Sequence, residues 1–207
     1  MSELQTTLLD CEYFPCIAWY QQYLKGNQIM IETHEHFVRA SLRNRCYITG
    51  PNGRLALTVP LDGGRNQKNK ICDIKITSNE PWQILHWKTL QACYNRSPYF
   101  EFFKDDLYPL FHRKYIFLLD LNLDTVQTMN KLLALKKQYL LTDNYFKNYD
   151  TYVLDFRNTF NAEQAATEGE IHYIQTFEKQ HGFIGELSML DCLLCCGKQA
   201  LELLMTD

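Results

Sequence analysis

The sequence predicts an α/β fold with a Rossmann-like βα core, an inserted β-hairpin and a mainly helical C-terminal half. An apolar β-prone run, TTLLDCEYFP, is followed by an amphipathic segment and by a second β-prone run, QIMIETHEHFV. Strand, helix and strand in that order open a βαβ unit, whose strands are parallel and whose crossover is right-handed. A turn sequence, GPNG, then separates two short β-prone runs, and beyond residue 80 apolar residues recur at helical spacing.

The first three elements follow from local signals. The first strand is expected to end at Pro15, and CIAWYQQYLKG forms a helix that stops at Gly26. In the second strand, His34 and His36 are two residues apart and would share one face. Two histidines on one face can exchange protons or bind a transition metal, or they can be ordinary residues of a strand edge.

The inserted hairpin is predicted from RCYIT and RLALTVP, which flank GPNG. Asparagine and glycine both tolerate positive φ, as a tight turn requires. The polar stretch LDGGRNQKNK is expected to be a mobile loop. In KICDIKITS, apolar residues at every second position predict one further strand.

The remaining elements are mostly helical. PWQILHWKTLQACYN predicts one helix, and SPYFEFFKDDLYPLFH predicts a second that stops near Pro109. Residues 116–141 form the longest helical candidate, with Asn122 or Asp124 as N-cap. TYVLDF predicts a strand, NAEQAATEGE a loop, and Ser188 caps the closing helix.

Composition predicts one globular domain over residues 1–207. Of these residues, 46% are apolar and only 22% are charged, as a packed core requires. No apolar run approaches the roughly 20 residues that cross a bilayer, and the first residues do not have the pattern of a signal peptide. We therefore expect a soluble, cytoplasmic protein that does not act at a membrane.

Eight cysteines are expected to be reduced thiols that pack as small apolar residues. The close spacing Cys192-x-x-Cys195-Cys196 could serve a metal or a redox reaction. A zinc site needs a second pair of ligands, however, and Cys192 and Cys195 fall on the apolar face of a predicted helix. Core packing is the preferred interpretation, and the sequence predicts no metal site.

Positive charge is concentrated in residues 39–70, which hold seven Lys and Arg but one Asp, in a chain with 21 basic and 24 acidic residues. Guanidinium groups match phosphate and carboxylate oxygens bidentately, so Arg43, Arg45 and Arg54 predict an anion-binding site. Arg43 and Arg45 would project from one face of an extended segment. The alternative is a solvated strand face that protects a sheet edge from aggregation.

Proton transfer is assigned to two histidines. His86, among aromatic residues on a predicted amphipathic helix, is the best single candidate, although a histidine there is often a hydrogen-bonded packing residue. His36 is the second. Asn44 and Tyr94 are placed with the arginines as substrate-binding residues. The chain lacks G-x-x-x-x-G-K-[ST], G-x-G-x-x-G, G-x-S-x-G and H-E-x-x-H, so familiar nucleotide loops and hydrolase elbows are unsupported.

A set of short motifs, in this order, resembles the WbqC-like family. The motifs are Tyr13-Phe14-Pro15, Asn44-Arg45, GPNGRLALTVPL, Trp82-x3-His86, Tyr94-x2-Ser97-Pro98-Tyr99-Phe100 and Gly182-Phe183-Ile184-x2-Leu187-Ser188-x2-Asp191. The resemblance implies a bacterial cytosolic protein of surface-polysaccharide or O-antigen gene clusters, with group transfer onto an activated sugar as its reaction. A nucleotide-sugar carries a pyrophosphate, which agrees with the anion site expected from the charges.

The chain departs from the family pattern at two places. Leu9-Asp10-Cys11-Glu12 stands where longer members have a stretch like His-Gln-Pro-Asn, and residues 142–170 contain Gly169 but not the family's glycine-rich segment. We therefore carry two functions forward, a transferase-like enzyme and a non-catalytic binding or regulatory module. Nucleic-acid binding is disfavoured by the acidic overall charge. The sequence identifies no cofactor and no oligomeric state.

Overall fold

The computed structural model describes residues 5–63, 69–161 and 171–205, and the strands in these ranges form two sheets. In chain order the strands are β1 (Thr6–Asp10), β2 (Gln28–Glu32), β3 (Arg45–Gly50), β4 (Gly53–Thr58), β5 (Leu140–Leu141) and β6 (Val153–Asp155). One sheet is parallel with the order β5-β2-β1-β6, and the other is the antiparallel hairpin of β3 and β4. The predicted mixed α/β fold with its hairpin is confirmed, while the Rossmann-like description stays a prediction.

Helices pack around these sheets. They are α1 (Ile17–Lys25), α2 (Trp82–Tyr94), α3 (Phe100–His112), α4 (Leu118–Leu132), α5 (Glu178–His181), α6 (Met189–Cys196) and α7 (Gln199–Met205). Among the helices of the described ranges, none has the length and apolar character needed to cross a membrane.

The first βαβ unit forms as predicted because its helix buries an aromatic face. Trp19, Tyr20 and Tyr23 of α1 are fully buried, and the indole N–H of Trp19 donates to the Asp10 carbonyl at 2.9 Å. Gly26 then turns the chain into β2 so closely that a Cβ there would collide with the side chain of Thr7. The helix is thereby fixed at both ends against β1.

Three predicted strands are wrong in extent. β1 ends at Asp10 and does not continue to Pro15. β2 ends at Glu32, whose carboxylate accepts from the backbone N–H of His34 at 2.8 Å and turns the chain, so His34 and His36 do not share a strand face. KICDIKITS contains a 3-10 turn, Ile71–Asp73, followed by isolated bridges. The three isoleucines of that segment are buried, but they do not pair along a neighbouring strand.

The conformation predicted around Arg43 is also wrong. Residues Leu42–Asn44 form a 3-10 turn in which the Ser41 hydroxyl accepts from the Arg43 backbone N–H at 3.4 Å. The side chains of Arg43 and Arg45 therefore lack the two-residue alternation of a strand.

Two helix boundaries differ from expectation. α3 continues through Pro109 to His112, because Leu110 and Phe111 beyond the proline are buried against the core. α4 begins at Leu118, whose backbone N–H donates to the Ile74 carbonyl at 2.9 Å, so Asn122 and Asp124 are not its N-cap. It ends at Leu132, and residues 140–141 join the parallel sheet instead.

Other local predictions are confirmed. TYVLDF contains β6, and the Ser188 hydroxyl accepts from the Leu190 backbone N–H at 3.1 Å at the start of α6. All eight cysteines are free thiols. Most of the two predicted loops, LDGGRNQKNK and NAEQAATEGE, lies outside the described residues.

Candidate functional site

A cavity of about 480 Å³ lies beside the hairpin and contains two arginines. Arg39 and Arg45 line it together with Asn44, and Phe37 and Val59 contribute apolar walls. We call this cavity the basic pocket. Its volume is in the range of small-molecule sites, and its charge suits an anion.

Local turns bring these residues together. Ala40 has a positive φ of 55°, and the Ser41 hydroxyl donates to the Val38 carbonyl at 2.6 Å, so the chain folds back before β3. Asn44 then fastens the segment to the end of β4. Its side-chain amide donates to the Val59 carbonyl at 2.9 Å, and the Val59 N–H donates to the Asn44 carbonyl at 2.8 Å.

The Nε of Arg45 is a buried donor with no hydrogen-bond partner among the described residues. An unsatisfied buried donor costs about 1–3 kcal/mol, and native proteins contain few of them. The guanidinium of Arg45 also lines the pocket with that of Arg39, and a phosphate or carboxylate there would form charge-assisted hydrogen bonds with both.

The structure does not bring the three predicted arginines together. Arg54 stacks 4.0 Å from the centre of the Tyr47 ring and donates to the Glu186 carbonyl at 2.9 Å. It pairs with Thr49, four residues along β3 from Arg45, which is a separation of about 13 Å at strand spacing. Arg43 lies in the 3-10 turn before β3, and its side chain contacts Asp10 and Glu35 instead. Arg39, not Arg43 or Arg54, accompanies Arg45.

Arg43 lies in a buried group of charges at the carboxyl edge of the parallel sheet. Its guanidinium contacts the Asp10 carboxylate at 2.9 Å and the Glu35 carboxylate at 2.7 Å, and it donates to the side-chain carbonyl of Asn158 at 2.9 Å. Only 1% of Arg43 is exposed. With Glu12, whose carboxyl is also buried, these residues form what we call the carboxyl-edge cluster.

A second buried ion pair lies at the same edge. Arg157 contacts the Glu32 carboxylate at 3.0 Å and the Asp155 carboxylate at 2.6 Å, at the ends of β2 and β6. The Thr142 hydroxyl donates to Glu32 at 2.9 Å. In open parallel sheets this edge is where ligands commonly bind.

Glu12 is the least satisfied member of the carboxyl-edge cluster. Both of its carboxyl oxygens are buried without a hydrogen-bond partner among the described residues. Burial, reinforced by the neighbouring Asp10 carboxylate, raises the pKa of Glu12 well above its usual range, and the cation of Arg43 offsets this only in part. Glu12 therefore keeps its proton at a pH where an exposed glutamate is ionised.

The two predicted proton-transfer residues have different surroundings. His86 is buried, and its Nδ1 lies 3.1 Å from the Tyr13 hydroxyl. Burial lowers the pKa of His86 to about 4, against an opposing hydrogen bond with the backbone of Thr58, so the ring is neutral at pH 7. His36 is exposed, and its backbone forms an isolated β-bridge with Lys70. It precedes Phe37, which lines the basic pocket.

Tyr94 belongs to a different cluster, centred on Asp191. The fully buried Asp191 carboxylate accepts from the Thr49 N–H and hydroxyl, both at 2.8 Å, and from the Tyr173 hydroxyl at 2.7 Å. Tyr94 donates to the same carboxylate. This Asp191 cluster joins the hairpin, α2 and α6, and it gives Tyr94 a structural partner.

The motifs named from the sequence have a counterpart in a known family. The family model of the WbqC-like protein family matches residues 11–168, more than half of the chain. The chain belongs to the WbqC-like family. No curated protein and no solved structure matches it. The matched range includes both the basic pocket's Arg39 and Arg45 and the buried His86, whereas Asp191 lies beyond it.

Sequence reasoning about this WbqC-like chain did not anticipate the carboxyl-edge cluster. The sequence nevertheless contains a signal for this cluster. Asp10 and Glu12 lie at the end of one apolar strand, and Glu35 follows the next strand. The carboxyl ends of parallel strands meet at one edge of the sheet, which brings such residues together. Arg39 was counted within the basic stretch but not assigned to a site. The role of Asp191 has no local signal, because its donors come from distant segments.

Proposed function

We propose that the chain is a transferase-like cytoplasmic enzyme of bacterial surface-polysaccharide or O-antigen metabolism. Its substrate would be anionic, of the nucleotide-sugar or other phosphate-bearing class, and would bind in the basic pocket. The observation that supports this most directly is the pair of guanidinium groups, Arg39 and Arg45, that line one cavity. Membership of the WbqC-like family supports the metabolic context.

The residues of the pocket fit distinct roles. Arg39 and Arg45 bind the anionic group, and Asn44 holds the segment that presents Arg45. His36 is the proton-transfer residue, since it is exposed beside the pocket. His86 acts as a positioning residue, because it connects Tyr13 with the backbone of Thr58, which lines the pocket.

Ligand binding tests the pocket directly. Nucleoside phosphates and sugar nucleotides at about 100 times their dissociation constant should stabilise the protein by about 2.7 kcal/mol, measured as a rise in melting temperature. Arg45→Ala should abolish this rise, since it removes one of the two guanidinium groups that line the pocket. Arg113→Ala is the matched control, because Arg113 is exposed and pairs with Asp124. An equal rise in the Arg45 variant would contradict the proposal, provided that its melting temperature without ligand shows a folded protein.

A second candidate function, a non-catalytic binding module, is favoured by the burial and low pKa of His86. Transfer of a group onto the sugar of a sugar nucleotide, measured as a gain in mass of that nucleotide in the presence of a group donor, separates the two functions. If the chain is an enzyme, His36→Ala should slow this transfer by about 10²–10⁴-fold, the usual effect of removing a general acid or base. Ligand binding without any transfer by the unmodified protein would favour the binding module.

A further inference from the structure

A second cavity, of about 760 Å³, lies between α2, α6 and α7 and contains several thiols. Cys93, Cys195 and Cys196 line it, together with Arg96, Tyr99 and Phe177. It shares no lining residue with the basic pocket. We call it the thiol cavity. Within the described ranges, no group of three or more His, Cys, Asp or Glu side chains is arranged to hold a metal ion.

Contacts distinguish the three thiols. Cys93 is only 3% exposed. The Sγ of Cys195 lies 3.8 Å from the Asp191 carboxylate and 3.6 Å from the Thr176 hydroxyl. A neighbouring carboxylate disfavours a thiolate, and burial together with Asp191 raises the pKa of Cys195. Neither thiol is therefore suited to act as a nucleophile.

Cys196 has a more favourable position. It is partly exposed, and Cys192 lies one helical turn earlier on the same face of α6. The neighbouring Cys192 thiol lowers the pKa of Cys196 below that of an ordinary thiol, although burial and the Asp191 carboxylate oppose this in part. The thiolate is the form that attacks a disulfide.

The lining of the cavity also indicates the charge of the reagent. Arg96 is exposed and forms no ion pair with a described residue, and Gln180 and Gln199 add amide donors and acceptors. A guanidinium group attracts carboxylates, so a disulfide that carries carboxylates is favoured over a neutral one. The volume is within the range of small-molecule sites.

We propose that Cys196 is a modification site for small anionic disulfides of the glutathione class. The Cys196 thiolate attacks one sulfur of the disulfide and forms a mixed protein disulfide, and the other sulfur leaves as a thiolate. The reagent supplies the oxidising equivalents, so the exchange needs no further oxidant. The adduct occupies the thiol cavity, with its carboxylates near Arg96.

Mass spectrometry after limited treatment of the full chain with oxidised glutathione tests the proposal. Cys196 should be modified before Cys72, a partly exposed thiol whose pKa is raised by burial and Asp73. Cys196→Ser should remove the first adduct, and Cys72→Ser should leave it. Modification at Cys72 first, or at several thiols at equal rates, would overturn the proposal.

The charge of the reagent gives a second measurement. Arg96→Ala should slow modification by oxidised glutathione about 2- to 5-fold, the size of an exposed charge contact, and leave the rate with neutral hydroxyethyl disulfide unchanged. Equal slowing with both reagents would show that Arg96 does not select anions. These outcomes are independent of the basic pocket, since Arg45→Ala should alter neither rate.

Discussion

Arg43→Met is expected to lower the free energy of unfolding by about 3–5 kcal/mol, the usual cost of leaving a buried charge without its partner. The guanidinium is the cation that contacts both Asp10 and Glu35, and all three side chains are almost fully buried. Methionine fills similar space but supplies no charge. Urea denaturation monitored by fluorescence measures the loss.

The loss of unfolding free energy in Arg43→Met should increase with pH. The pKa of Glu35 is already raised, chiefly by burial, and removing Arg43 raises it further. A carboxyl whose pKa is higher in the folded than in the unfolded protein stabilises the fold at low pH, and this contribution is lost as the pH rises through the folded-state pKa. The variant should therefore be closer to the unmodified protein at pH 5 than at pH 8.

Two comparisons make this prediction specific. Adding Glu35→Gln to Arg43→Met should recover part of the loss, because one of the uncompensated carboxylates disappears. Arg113→Met, at an exposed ion pair, should cost at most about 1 kcal/mol. A loss in Arg43→Met no larger than that of the Arg113 variant would mean that the carboxyl-edge cluster does not depend on its cation.

Asp191→Ala is expected to cost about 3–5 kcal/mol, comparable to breaking a buried ion pair. The substitution leaves the Thr49 N–H and the hydroxyls of Tyr94 and Tyr173 buried without their acceptor. Each such donor costs about 1–3 kcal/mol, and the contributions are not additive. Asp191→Asn should lose less, since its carbonyl oxygen still accepts.

The matched control is Asp105→Ala, at an exposed position of α3, which should change stability by no more than about 0.5 kcal/mol. Urea denaturation of the three variants under one condition gives the comparison. If Asp191→Ala were as stable as the Asp105 variant, the Asp191 cluster would not hold the hairpin against α2 and α6.

Local patterns were sufficient wherever an element buries its own face. β1, α1 and the hairpin were predicted because strand alternation, helical spacing and turn residues operate over a few positions. The conformation of the segment after residue 70 and the start of α4 were predicted wrongly. Both depend on hydrogen bonds between these two segments, such as that from the Leu118 N–H to the Ile74 carbonyl. Such tertiary contacts override local preference.

The candidate site shows the same difference between features set by local sequence and features set by tertiary contacts. A local charge count predicts Arg43 and Arg45 alike, and it cannot show that the carboxylate partners of Arg43 lie at the end of β1 and beyond β2. Nor could it find the two cavities. The basic pocket forms between two segments joined through the hairpin, and the thiol cavity is lined by residues far apart in the chain. Charge can be read along a sequence, whereas the partner of each charge depends on the fold.

The strand order has a consequence for the time course of biosynthesis. β1 is central in the parallel sheet, and one of its neighbours, β6, pairs Val153 with Thr6. The ribosome must therefore release most of the polypeptide before the first strand acquires both neighbours. Until then the nascent N-terminal unit displays an open backbone edge, the kind of surface that chaperones protect.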